Sequence, residues 1–294
     1  MKKALSYVGK ALLILLILAL TIPFFIPFES SGTKDYREAA PKEGDFIRVA
    51  GVDVYFEKTA FDCERAKDCS NPPVFILLHG FGANTFSFRA IKDDLAAIGD
   101  VVAYDRPGFG FTERLLNWEG ENPYGTKGNE LILSELIFNF ADGRDVYLVG
   151  HSAGGTLAAQ YAVDYPERVK GLILISPAIL TTGGSPGWLT GLFYLPQFEN
   201  LGPLLVSSIA TSGMDLLNRS WFDPKRITDD VIAGYKAPLQ VKDWERGFWE
   251  FNRAPREFDV RERLAELDLP VLLITGNSDT VVPTKDTEAL AGQI

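Results

Sequence analysis

The chain has 294 residues, 46% of them hydrophobic and 23% charged, with a formal net charge of −10 and a pI of about 4.8. Such apolar content excludes an intrinsically disordered chain, and no stretch gathers Lys and Arg as a nucleic-acid surface requires. The length suits one large globular domain with room for an inserted subdomain.

The N-terminus is a separate object. Lys2, Lys3 and Lys10 flank residues 11–28, ALLILLILALTIPFFIPF, an uncharged and almost wholly apolar run. At ~1.5 Å per residue it is near the minimum that crosses a bilayer. Pro23 and Pro27 weaken its last part as a helix. The expectation is an uncleaved signal anchor with the lysines cytoplasmic and the rest extracytoplasmic. A cleaved signal peptide is the alternative, but no small-x-small site follows the run. Residues 29–44, ESSGTKDYREAAPKEG, read as a polar tether. Cys63 and Cys69 then share one polar loop, and the chain has no other cysteine. That suits a small disulfide in an oxidising compartment, with two free thiols as the alternative. No further Cys or nearby His completes a metal site.

Alternation over residues 45–60, DFIRVAGVDVYFEKTA, predicts a hairpin turning at Gly51. Continuous Val/Ile/Leu runs follow at 73–80, 100–108, 145–152, 169–177 and 270–279. Runs of this kind, without alternation, predict strands covered on both faces, as in a parallel sheet. Helical patterns at 88–99, 128–143 and 155–169 separate several of them. The expected fold is a doubly wound, mostly parallel α/β sheet.

The rhythm breaks between Ser176 and Leu269, an interval too long for an ordinary connection. The segment is rich in aromatics: Trp188, Phe193, Tyr194, Phe198, Trp221, Phe222, Tyr235, Trp244, Phe248, Trp249 and Phe251. It is expected to form an inserted helical cap, most of its aromatics packing the cap and a few facing a ligand. The resulting organisation is an anchor and tether start at 1–33, a core at 45–179, a cap at 180–252, and a second part of the core at 253–294.

The chemistry centres on Gly150-His151-Ser152-Ala153-Gly154, between the run DVYLV and the helical pattern GTLAAQYA. Gly-x-Ser-x-Gly between a strand and a helix places a serine on a sharp turn, and Gly155 adds another small residue. The helix start brings N–H donors and a positive dipole end toward developing negative charge.

Four motifs in order, LLHGFG (77–82), YDRPGFGFT (104–112), VGHSAGG (149–155) and ITGNSDTVVP (274–283), make residues 45–294 resemble the α/β-hydrolase superfamily. The similarity is to its cap-bearing branch of esterases, proline iminopeptidases, carbon–carbon bond hydrolases, dehalogenases and epoxide hydrolases. The resemblance implies Ser152 as nucleophile, with the Ala153 and Phe81 backbone N–H groups as oxyanion donors. It implies Asp279 as the triad acid. His79, Gly80, Gly150, His151 and Gly154 would support the motifs, and Asp105 with Arg106 would hold a structural turn.

A serine nucleophile needs a base. The chain has two histidines, His79 and His151. The first belongs to the oxyanion loop, and the second precedes Ser152 on a turn where adjacent side chains diverge. In the superfamily the histidine follows the acid by about one further strand and loop, whereas Ile294 is the last residue here. The triad histidine is therefore expected to be absent from this chain, with the last strand and helix missing, a C-terminally incomplete sequence and weak catalysis.

A serine at the elbow disfavours dehalogenase and epoxide-hydrolase chemistry, which uses aspartate there. The expected activity is acyl transfer on carboxylic esters with apolar groups. One alternative is carbon–carbon bond hydrolysis, with Arg219, Lys225, Arg226 or Lys236 holding a carboxylate. Another is N-terminal peptide hydrolysis, with Glu199, Asp215 or Glu245 holding an amine. A membrane-tethered, non-catalytic binding protein is the alternative from another class. No metal or organic cofactor is expected.

Overall fold

Seven strands form one sheet in the computed structural model, which describes residues 2–181 and 191–294. Trp188, expected in the cap, lies outside the described residues. The helix α1 (Lys2–Thr21) carries the apolar N-terminal run, and a tight turn at Ile22–Phe25 ends it. Strands β1 (Asp45–Val49) and β2 (Val52–Thr59) pair antiparallel with Val49 opposite Val52. Ala50 and Gly51 between them both have positive φ, the backbone that a two-residue hairpin of native twist demands.

The remaining strands are β3 (Val74–Leu78), β4 (Asp100–Tyr104), β5 (Val146–His151), β6 (Gly171–Ile175) and β7 (Val271–Ile274). The spatial order is β1-β2-β4-β3-β5-β6-β7. The sheet is parallel from β4 to β7, and β2 joins β4 antiparallel. The apolar runs are continuous because successive residues serve opposite faces. Val74, Ile76 and Leu78 pack with α2 (Thr126–Ala141) and α3 (Ala153–Asp164), through residues such as Leu133, Leu136 and Leu157. Phe75 and Leu77 pack on the other side against Phe88, Ile91 and Leu95. Each fully buried Leu or Ile contributes roughly 1.5–3 kcal/mol.

The helix expected over 88–99 is reduced to a tight turn at Thr85–Phe88 and one α-turn at Lys92–Leu95. Tertiary contacts override the local pattern here. Asn84 Nδ2 donates to the Gly234 carbonyl, and the Ser87 and Tyr235 hydroxyls meet at 3.3 Å, which spends this stretch on the cap.

Between β6 and β7 lie four helices of the described cap: α4 (Phe198–Ser207), α5 (Ile209–Arg219), α6 (Asp229–Lys236) and α7 (Trp244–Arg253). The last helix, α8 (Thr284–Ala291), follows β7 and anchors Leu290 in the main core.

Part of the expected tether is docked. The fully buried Glu245 carboxylate accepts from Ser30 Oγ (2.7 Å), Ser31 N (2.8 Å) and Ser31 Oγ (2.6 Å). Trp244 Nε1 donates to Ser31 Oγ, and the Thr33 and Lys34 amides donate to the Gln240 carbonyl. Serine and threonine side chains that look solvent-loving in sequence satisfy a buried carboxylate here. The Cys63 and Cys69 sulfurs are bonded, with Cα atoms 5.4 Å apart.

Candidate active site

Three strand ends converge at the carboxyl edge of the sheet. β5 delivers His151 and Ser152, β3 delivers His79 to Phe81, and the loop after β7 delivers Asp279. Parallel strands bring these ends to one edge, where a crevice forms beneath whatever covers it.

Ser152 has φ 53° and ψ −121°, a conformation an L-residue rarely adopts. It is over-determined by its surroundings. Its N–H donates to the Ile175 carbonyl, and its carbonyl accepts from Gly155, Thr156 and Ala178. The flanking glycines are steric necessities. A Cβ on Gly154 would lie 2.1 Å from the Leu78 carbonyl oxygen, and one on Gly150 would lie 2.5 Å from Gly155 Cα. The backbone N–H groups of Phe81 and Ala153 donate to no acceptor among the described residues. Ala153 opens α3, so its N–H is among the unpaired donors of a helix start.

His79 is wholly buried. Its Nε2 accepts from the Arg106 backbone N–H (2.9 Å), which leaves Nδ1–H to donate to the Gly80 carbonyl (2.8 Å). Burial, reinforced by the positive charge of Arg106, keeps its pKa well below the usual histidine value. His79 thus ties the β3 loop to the β4 loop. Burial also lowers the pKa of His151 below the usual histidine value, outweighing the opposing pull of the Asp279 charge. Its Nδ1 is buried without a partner among the described residues. Ser152 Oγ is hydrogen-bonded to neither histidine.

Asp279 is half-buried. Its Oδ1 accepts from the Val281 and Val282 amides, both at 2.9 Å, and Oδ2 has no partner among the described residues. Asp105 is fully buried, taking the Thr85 and Phe111 amides, each at 2.7 Å. Desolvation raises its carboxyl to about 7. Arg106 is buried over the Phe109 and Phe251 rings. Both therefore brace the turn expected of them, behind the cavity rather than on it.

Gly80, Phe81, His151, Ser152 and Asp279 share a cavity of about 610 Å³. The cap contributes Leu216, Leu217, Trp221, Tyr235, Leu239, Trp244 and Phe248 to its walls. Phe193 and Phe198 instead pack on Trp249 within the cap, Phe251 packs on Phe109 and Phe81, and Phe222 is exposed. Lys236 lines the cavity, whereas Glu245 is consumed by Ser30 and Ser31 and Glu199 pairs with Arg253.

Sequence reasoning passed over Phe109, whose ring meets Phe81, Phe248 and Phe251 and bridges core to cap. Its place in YDRPGFGFT was the available signal. It also missed Arg114, a partly buried cavity residue that donates to the Phe109 and Gly110 carbonyls. Among the described residues no group of His, Cys, Asp and Glu could hold a metal ion.

A parallel sheet with an elbow serine under a helical cap defines the class of α/β proteins whose site sits at the strand carboxyl ends. The family model described as alpha/beta hydrolase fold matches residues 73–294, and the chain belongs to that family. It is 29% identical over 238 residues to YugF, an uncharacterized hydrolase of Bacillus subtilis, covering 80% of each chain. It is 26% identical over 227 residues to the pimeloyl-[acyl-carrier protein] methyl ester esterase of Pseudoalteromonas atlantica, covering 75% of this chain and 81% of the other. Among solved structures, a meta-cleavage product hydrolase from Pseudomonas fluorescens superposes with a TM-score of 0.61 at 23% identity. That match covers 85% of this chain and 86% of that one, and it shares the fold. The chain is a hydrolase of this family.

Proposed function

We propose that the protein is a membrane-anchored serine hydrolase that cleaves carboxylic esters with apolar groups through an acyl-enzyme. The observation that carries this reading is Ser152, held at positive φ in an apolar cavity beside the unpaired Phe81 and Ala153 amides. Ser152 Oγ would bond to the ester carbonyl carbon, and the two amides would receive the oxyanion. Collapse of the tetrahedral species breaks the ester C–O bond. The alcohol leaves with the serine proton, and water then hydrolyses the acyl-serine. One lost oxyanion donor would cost about 3 kcal/mol in the barrier. Asp279, with Oδ2 free, is assigned the acid that orients and stabilises a base imidazolium. The base is assigned to neither His79, whose nitrogens are committed, nor His151, which does not reach Ser152.

In the proposed organisation, residues 1–33 hold the anchor and tether start, 45–179 and 253–294 make the hydrolase core, and 180–252 the cap. The domain would lie on the extracytoplasmic side, where the Cys63–Cys69 pair suits the redox state. Carbon–carbon bond hydrolysis is a second reading, favoured by Lys236 at the cavity wall. The aminopeptidase reading loses support, because Glu245 and Glu199 are already paired.

A fluorophosphonate probe tests the proposal. Labelling of the full-length protein that disappears in Ser152→Ala supports it. An unlabelled but folded full-length protein would point to a binding protein instead. Turnover of p-nitrophenyl esters against proline amides and dienoic acids then ranks the substrates.

A further inference from the structure

The end of α1 does not hang free of the folded body. The turn at Ile22–Phe25 packs against α4, and Gln197 Nε2 donates to the Leu20 carbonyl (3.3 Å). The surface around this junction is apolar. Leu192, Tyr194, Leu195, Leu204 and Leu205 are all exposed, Leu205 by 61%, and Phe25 beside them by 84%. From Gly191 to Ser207 the only charged residue is Glu199, and it pairs with Arg253 at 3.3 Å.

Chain length makes this neighbourhood obligatory. The apolar run ends near Phe28, and Ser30 is already bonded to Glu245 and to the Asp243 amide of the cap. Five residue-to-residue steps lead from Phe25 to Ser30, and they span at most ~18 Å when fully extended. A bilayer holding α1 therefore lies within that distance of the start of α7. The helix α4 packs directly on α7, so closely that a Cβ on Gly202 would overlap the Trp249 ring. An apolar surface tied this close to an anchor, with none of the described residues covering it, has one partner of matching chemistry within reach.

From this we infer that the cap face formed by residues 191–195 and by Leu204 and Leu205 seats in the surface of the bilayer that holds α1. The inference rests on the proposed membrane anchoring and is independent of the proposed ester chemistry. The cap then becomes a second, interfacial membrane contact, and α7, which lines the cavity through Trp244 and Phe248, lies one helix above the lipid. Apolar ligands would reach the site from the membrane phase.

The test uses the full chain in phosphatidylcholine vesicles, kept non-reducing so that Cys63 and Cys69 stay bonded. A single cysteine at Leu205, Leu195, Leu16 or Phe138 carries an environment-sensitive fluorophore, and the lipid carries a spin-label quencher. Phe138 is an exposed position (83%) on α2 of the core. The labels at Leu205 and Leu195 are expected to lose most of their fluorescence, as the label at Leu16 does, while the Phe138 label keeps its own. Equal quenching at Leu205 and Phe138 would overturn the inference. Because the readout needs no turnover, it stands apart from failure of the esterase reading.

Discussion

Ser152 and Asp279 both follow parallel strands of one sheet, yet the two strand ends are built to different tolerances. β5 has neighbours on both sides, and its turn is enclosed by backbone from β3 and α3, so that even a methyl group has no room at Gly150 or Gly154. Among the described residues β7 has a strand neighbour only on its β6 side, and Leu272 and Ile274 are 54% and 44% exposed. The Ser152 turn is fixed by long-range packing. Asp279 is fixed mainly by its own loop, through the Val281 and Val282 amides. Geometry that must be strained is placed where many contacts can hold it, and a residue that only needs pointing can be held locally.

Four measurements can break the contrast. In the full-length protein, Ser152→Ala should lower ester turnover by roughly 10³-fold or more while leaving the melting temperature nearly unchanged. Retained turnover would remove the elbow from the chemistry. Gly154→Ala should destabilise the fold by about 3 kcal/mol, since the intruded atom is the Leu78 backbone oxygen and cannot move aside. A denaturant midpoint matching wild type would mean that the elbow is not tightly enclosed.

Asp105→Asn probes the buried support behind the elbow through pH. Burial raises the Asp105 carboxyl from 3.8 to about 7, so between those values the folded chain holds more protons than the unfolded one. The contribution of this group to stability is therefore largest near the lower value and falls as pH rises through the window. The wild-type advantage over the Asn variant in unfolding free energy should shrink from pH 4 to pH 7. A gap independent of pH would refute the raised carboxyl. Asp279→Ala should cost only about 1 kcal/mol of stability, because Asp279 is half-buried and the Val281 amide it frees is exposed. A loss as large as that of Gly154→Ala would erase the difference between the two strand ends.

Much of the core was legible beforehand. The runs at 73–80 and 145–152 stand as β3 and β5, and the Gly51 hairpin turns where alternation placed it. Those elements are specified by side-chain period and turn chemistry, which are local properties. The helix expected at 88–99 failed because its register of apolar residues could not weigh the cap contacts of Asn84 and Ser87. Ser30 and Ser31 read as tether because nothing local foretells a buried glutamate 214 residues away. Phe109 and Arg114 were missed as cavity residues for the same reason.

The sequence by itself determined the strand runs, the elbow and its glycines, the apolar N-terminal run and the aromatic bias of the cap, since each is encoded within a few neighbouring residues. Only the tertiary structure decided which aromatics face the cavity, which acids are already spent on partners, and that the segment after the apolar run is strapped to α7. Those outcomes depend on which distant surfaces meet, and burial at such meetings sets the cost of every unpaired charge and the worth of every hydrogen bond.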